Sequence, residues 1–136
     1  MTQLKLSGLP AKAEIVGLVA ENAPPYALSV AAGKPVATNS ADTFAGGLAV
    51  RVPDADALDI ISRHAARIVT VSDAEMREAI RILFSDTHNI AEGAGAAPFA
   101  AALKERRRLA GKKVAVVQSG GNIDRALFAE ILAEVA

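Results

Sequence analysis

The sequence contains no cysteine, no tryptophan and only two histidines. Without cysteine there is no disulfide framework and no thiolate metal site. The histidines, His64 and His88, have no neighbours at metal-ligand spacing, so they read as a helix-end residue and a loop residue, and no metal site is expected. An excess of charge is also missing. Lys+Arg and Asp+Glu both number 15, a formal net charge of +0, which removes the broad field that draws a protein to nucleic acid or anionic lipid. No apolar run approaches the ~20 residues that cross a bilayer. Residues 1–9 lack the long apolar core and cleavage site of a secretory leader. The expectation is a cytoplasmic protein with neither nucleic acid nor membrane as a partner. Nucleophile elbow, Walker loop and dinucleotide fingerprint are absent as well.

What is present is enough apolar material for a core: 51% of 136 residues, read as a single domain over 1–136. Three short apolar runs rich in Val and Ile, Ile15 to Val19, Arg67 to Val71 and Lys113 to Val117, are bounded by polar residues or glycine. Their hydrophobicity is continuous, not alternating, as in strands covered on both faces. Each run is followed by a helical pattern; after the second, Ser72 and Glu75 form a capping box and Met76, Ala79, Ile80, Leu83 and Phe84 recur at helical spacing. Phe128, Ile131, Leu132 and Val135 do the same after the third run. A shorter helix starting at Asp54 and a longer one over Ala91 to Leu109, closed by Gly111, complete the pattern. Strand alternating with helix predicts an α/β fold, a three-layer, mostly parallel sheet with flanking helices. The irregular segments 33–47 and 85–95 are the natural ligand-facing loops.

Three stretches carry candidate chemistry. The first, Ser119-Gly120-Gly121-Asn122, is a polar strand-to-helix turn. It can hold an anion or a ring heteroatom, or it can simply satisfy the amides of a helix start; the residues alone leave both open. The second is Glu92 among glycines and alanines, in Glu92-Gly93-Ala94-Gly95-Ala96. It reads first as a helix-start charge and second as a group facing a cleft. The third, Thr43-Phe44-Ala45-Gly46-Gly47, would by itself be a turn. The basic cluster of Lys104, Arg106, Arg107, Arg108, Lys112 and Lys113 reads as a solvated helix end, favoured by the dipole, in preference to a phosphate patch.

Taken in order, Asp42 to Arg51, Glu92 to Ala96 and Ser119 to Asp124 strongly resemble motifs of the threonine dehydratase and serine racemase family, the fold type II pyridoxal-phosphate enzymes. The resemblance runs from about Ala13 to the end, with residues 1–12 an unplaced lead. It implies a place in the second half of the family's catalytic domain. It further implies that Ser119 hydrogen-bonds the pyridine nitrogen of pyridoxal 5'-phosphate, with Gly120 beside it, Glu92 close to the cofactor and Gly47 on the substrate side of the ring. A neutral hydroxyl at that nitrogen does not protonate it, which favours expulsion of a β-hydroxyl, and hence dehydration of threonine or serine.

The departures from the family pattern are as informative. The Ser-x-Lys-x-Arg-Gly segment, whose lysine holds the cofactor covalently, and the glycine tetrad that cradles its phosphate do not occur. Lys5, Lys12, Lys34, Lys104, Lys112 and Lys113 all lie in other contexts. Ala45-Gly46-Gly47 replaces the usual Ala-Asp-Gly, and Val19 and Pro25 stand where some members have acidic metal ligands. The resemblance therefore implies a carboxyl-terminal portion of a threonine ammonia-lyase with no catalytic residue and no activity alone. Its implied partner is an amino-terminal half, or a second copy through self-association. The alternative is a non-catalytic module that keeps the fold to bind a small anion or a protein.

Overall fold

The computed structural model describes residues 13–134. The chain runs through β1 (Val16–Ala20), α1 (Pro25–Ala32), a 3₁₀ turn (Gly46–Leu48), α2 (Ala55–His64), β2 (Arg67–Val71), α3 (Asp73–Thr87), α4 (Gly93–Lys104), α5 (Arg106–Leu109) and α6 (Arg125–Ala133). The two strands pair in parallel, with Val16 opposite Arg67 and Ala20 opposite Val71. A parallel pair needs a crossover, supplied here by the segment carrying α1 and α2. The α/β class is as the sequence implies, a parallel sheet flanked by helices.

Local chemistry explains most boundaries. Asp54 caps α2 by accepting from the Ala57 N–H at 2.8 Å. Ser72 and Glu75 form the expected capping box of α3, with Ser72 Oγ accepting from the Glu75 N–H at 3.2 Å and the Glu75 carboxylate accepting from the Ser72 N–H at 2.8 Å. Met76, Ala79 and Ile80 of α3 are fully buried. The buried face of α4 is built from Gly93, Gly95, Ala96, Ala97, Ala100 and Ala101. Such small side chains let α4 lie close along α3, where the core forms with Val71 and Ile131. Gly111, at φ 74°, ends the chain's passage through α5 in the left-handed region that glycine tolerates.

The structure departs from the sequence reading in three places. Lys113–Val117, expected as a third strand, is not one: Val114, Val116 and Val117 are 50%, 42% and 61% exposed. A strand exists only through its ladder, and among the described residues this run has no strand beside it. The long helix over Ala91 to Leu109 is two. Glu92 is extended ahead of α4, and Glu105 leaves helical geometry (φ −92°, ψ 12°) where its carboxylate meets the Arg67 guanidinium of β2 at 3.1 Å. The irregular segment expected over 85–95 shrinks to 88–92, because α3 continues to Thr87 and stops at His88 with φ 57°, and α4 begins at Gly93. The helix expected after the first apolar run is α1, with Pro25 at its start and Gly33 (φ 65°) just past its end. Val135, expected on the last helix, lies outside the described residues.

Candidate functional site

The loop Thr43–Gly47 is shaped by α3. The Asp73 carboxylate, in the first turn of that helix, accepts from Thr43 Oγ1 at 2.6 Å and from the Phe44 N–H at 3.4 Å. Thr43 Oγ1 in turn accepts from the Ala45 N–H at 3.2 Å. Arg77, one turn along, places its guanidinium 5.5 Å from the centre of the Phe44 ring. The loop then enters the 3₁₀ turn that carries Gly46 and Gly47. A threonine-initiated turn is thus fixed by a partner thirty residues away, which no local pattern could announce.

Opposite this loop stands the start of α4. The space where Gly93 would carry a Cβ is filled by Phe44 and Ala45, and the corresponding space at Gly47 by the Ala94 methyl. Gly95 rests against the Gly120 carbonyl so closely that a methyl there would overlap it. The Glu92 N–H donates to that same carbonyl at 3.1 Å, while the Glu92 carboxylate lies over the Gly120 α-carbon. Next along, the Gln118 amide donates to the Ile90 carbonyl at 3.0 Å. The three motifs, far apart in sequence, meet at one place.

A cleft of about 300 Å³ opens between them, lined by Phe44, Gly46, Gly47, Glu92, Asn122 and Leu127 among others. Of the four candidate cofactor residues, Gly47 and Glu92 line it and Gly120 lies directly beneath Glu92. Ser119 is adjacent to Gly120, exposed, and its hydroxyl makes no hydrogen bond among the described residues. Glu92 occupies the helix-cap position without a side-chain capping bond and is among the residues that line the cleft. The Ser119 turn needs a correction. It does not open a helix, because Asp124 caps α6 instead, accepting from the Ala126 and Leu127 N–H groups at 2.8 and 3.2 Å. Asp73 is a site-shaping residue absent from the sequence reading; only its position beside a helix cap hints at a fixed carboxylate.

The lysines of the described residues take no part in the cleft. Lys104 donates to the Thr70 carbonyl at 2.9 Å and to Glu75 at 3.0 Å, on another side of α4. Burial pushes the Glu75 carboxyl up, but the Ser72 amide and the Lys104 ammonium outweigh it and hold the group below its ordinary range. The Glu105 carboxyl is likewise held low by the Arg67 guanidinium that hydrogen-bonds it. Lys5 and Lys12 lie outside the described residues. The cleft therefore offers small residues for close approach to a flat ring, a free hydroxyl and a carboxylate nearby, and no described amine or phosphate cradle.

Comparison with known proteins gives this arrangement a family. Residues 2–120 match the family described as pyridoxal-phosphate dependent enzyme. The chain is 35% identical over 111 residues to the L-threonine ammonia-lyase of Thermotoga maritima, covering 82% of this chain and 27% of that protein. It is 32% identical over 123 residues to the beta-hydroxyaspartate dehydratase of Paracoccus denitrificans, covering 90% of this chain and 39% of that one. The solved structure of the processed form of threonine deaminase isoform 2 from Solanum lycopersicum superposes with a TM-score of 0.82 at 26% identity, covering 90% of this chain and 37% of that chain. The chain thus spans between about a quarter and two fifths of the length of the curated relatives. No helix among the described residues is long and apolar enough to cross a membrane. With a family match over most of its length and the three motifs gathered at one cleft, the chain belongs to the pyridoxal-phosphate dependent enzymes, among relatives of the threonine ammonia-lyase kind.

Proposed function

We propose that this chain supplies the ring-side half of a threonine dehydratase-like site and is not catalytic on its own. The observation that carries the reading is that Gly47 and Glu92 line one cleft, with Gly120 packed against Glu92 and Ser119 next to it. Bound pyridoxal 5'-phosphate supplies an electron sink for a substrate carbanion. The chain's own residues do the positioning. Gly47 and Gly120 would leave room for the flat ring, Ser119 would present a hydroxyl to the ring nitrogen, and Glu92 would set a carboxylate close by. A hydroxyl donates a hydrogen bond at neutral pH without giving up its proton, so Ser119 would hold the ring without protonating it, which suits loss of a β-hydroxyl from the substrate. The substrate class is then threonine or serine, giving the 2-oxo acid and ammonia.

The covalent attachment and the phosphate cradle would come from an amino-terminal partner, in keeping with the share of the relatives' length that the chain spans. The test is reconstitution. The portion of the Thermotoga relative that precedes the matched region is made separately, mixed with this chain, pyridoxal phosphate and threonine, and 2-oxobutyrate is measured. The mixture is expected to release it, the chain alone to release none, and Ser119→Ala to lower the yield at least tenfold. A mixture as inert as its parts would overturn the reading, and turnover by the chain alone would overturn the claim of dependence.

A further inference from the structure

Lys113–Val117 has the composition of a buried strand and the exposure of a surface one. Val114, Val116 and Val117 are among the most exposed large apolar residues described, and no backbone hydrogen bond involves residues 113–119 among the described residues. The run is not loose at its far end. Gln118 is tied to the Ile90 carbonyl, Gly120 to the Glu92 N–H, and the Gly121 α-carbon lies against the Ile90 carbonyl so that an added Cβ would come within 2.6 Å of it. Five residues, four of them apolar, with free backbone donors and acceptors therefore lead straight into the turn that carries Ser119.

Resting on the half-site reading above, we propose that residues 113–117 are a docking edge: a strand of a second polypeptide, carrying the part of the family fold this chain does not span, pairs there and thereby fixes Ser119. Three observations select that occupant. The matched region covers only 27% of the Thermotoga relative, so nearly three quarters of a related fold lies outside it. The run is apolar at successive positions, as in parallel strands with both faces covered, and the sheet already present is parallel. A second copy related by a two-fold axis across the edge would set identical strands antiparallel, and the exposed Lys112 and Lys113 at its entrance oppose such self-pairing. Pairing would bury the three valines and satisfy the free backbone groups together, and the ordering would pass through Gln118 to the Ser119 hydroxyl.

The experiment follows amide hydrogen exchange and sedimentation of the full chain, alone and mixed with the preceding portion of the Thermotoga relative. Alternate backbone groups of a strand face opposite neighbours, so two paired variants are made, Val114→Pro with Val116→Pro, and Ala115→Pro with Val117→Pro. Because the run is exposed and unbonded, neither pair removes a hydrogen bond from the chain itself. The expected result is a one-to-one complex, exchange at residues 114–117 slowed about tenfold or more, and loss of the complex in at least one proline pair, with Ile60→Asp on α2 binding as the parent does. The proposal is overturned by the absence of a complex, by a complex that leaves these amides exchanging at the free rate, by both proline pairs binding as the parent does, or by a dimer of this chain alone that protects them. A protected complex that releases no 2-oxobutyrate keeps the docking edge and defeats the proposed function; release of 2-oxobutyrate with unprotected amides does the reverse.

Discussion

The backbone N–H of Glu92 donates to the carbonyl of Gly120 at 3.1 Å, and the Glu92 carboxylate folds back over the Gly120 α-carbon. One residue thus holds the other from two directions, and the close approach exists because Gly120 has no side chain. Gly95 packs against the same carbonyl, so α4 and the Ser119 turn are locked at a single peptide group.

That lock predicts different costs for two similar substitutions. In Gly95→Ala the new methyl meets backbone, which cannot swing away, so α4 must shift. The expected loss is about 1–3 kcal/mol of unfolding free energy by urea titration. In Gly120→Ala the methyl meets the end of the Glu92 side chain, which can rotate. Its stability loss should be the smaller of the two, and its main effect should be displacement of Glu92 from the cleft.

The capping box gives a prediction in pH. Ser72→Ala should cost roughly 1 kcal/mol, as other cap removals do. Because the folded-state pKa of Glu75 is depressed, its contribution is full above the ordinary carboxylate value near 4.5 and disappears as pH falls through the lower folded value. Urea midpoints measured from pH 7 down to pH 3 should therefore fall less steeply in Glu75→Gln than in the parent. Parallel slopes would show that Glu75 carries no such linkage.

Asp73 fixes the Thr43–Gly47 loop through two hydrogen bonds from one carboxylate. Asp73→Ala should destabilise the chain by roughly 1–2 kcal/mol and speed amide exchange at Phe44 and Ala45 ahead of the rest of the chain. Thr43→Val, which keeps the shape and removes the hydroxyl, should reproduce the faster exchange at Ala45. If Phe44 and Ala45 stay protected in Asp73→Ala, the loop is held by packing alone.

α6 is fastened by two kinds of contact, and the apolar one should dominate. Arg77 pairs with Glu130 at 2.7 Å and Glu134 at 2.6 Å, and Arg81 also meets Glu134, all partly solvated. Ile131 is fully buried against the core. Arg77→Met should cost about 0–1 kcal/mol and lose even that in high salt. Ile131→Ala should cost about 2–5 kcal/mol, with no such dependence.

The class of fold is legible because periodicity is a local property. The parallel strands fall within one residue of the apolar runs at 15–19 and 67–71, and Ser72 with Glu75 marks the start of α3 correctly. Ala91 to Leu109 reads as one helix because nothing local signals that Glu105 turns toward Arg67, thirty-eight residues away. The run 113–117 misleads for a related reason, since composition reports what a segment would bury but not whether a neighbour is present to bury it. Ser119, Glu92 and Gly47 are recognisable as motifs, whereas Asp73, which shapes the loop, carries no mark beyond its place next to a cap.

By itself the sequence determined where chain segments pair, coil and turn, and which residues bear hydroxyl, carboxylate or no side chain, because these depend on neighbours within a few positions. Tertiary structure alone decided that Gly47 and Glu92 share one cleft with Gly120 packed beneath Glu92, that Lys104 is spent on Glu75, and that Val114, Val116 and Val117 face outward. Those outcomes turn on close packing and hydrogen bonding between groups distant in the chain, which no window of sequence contains.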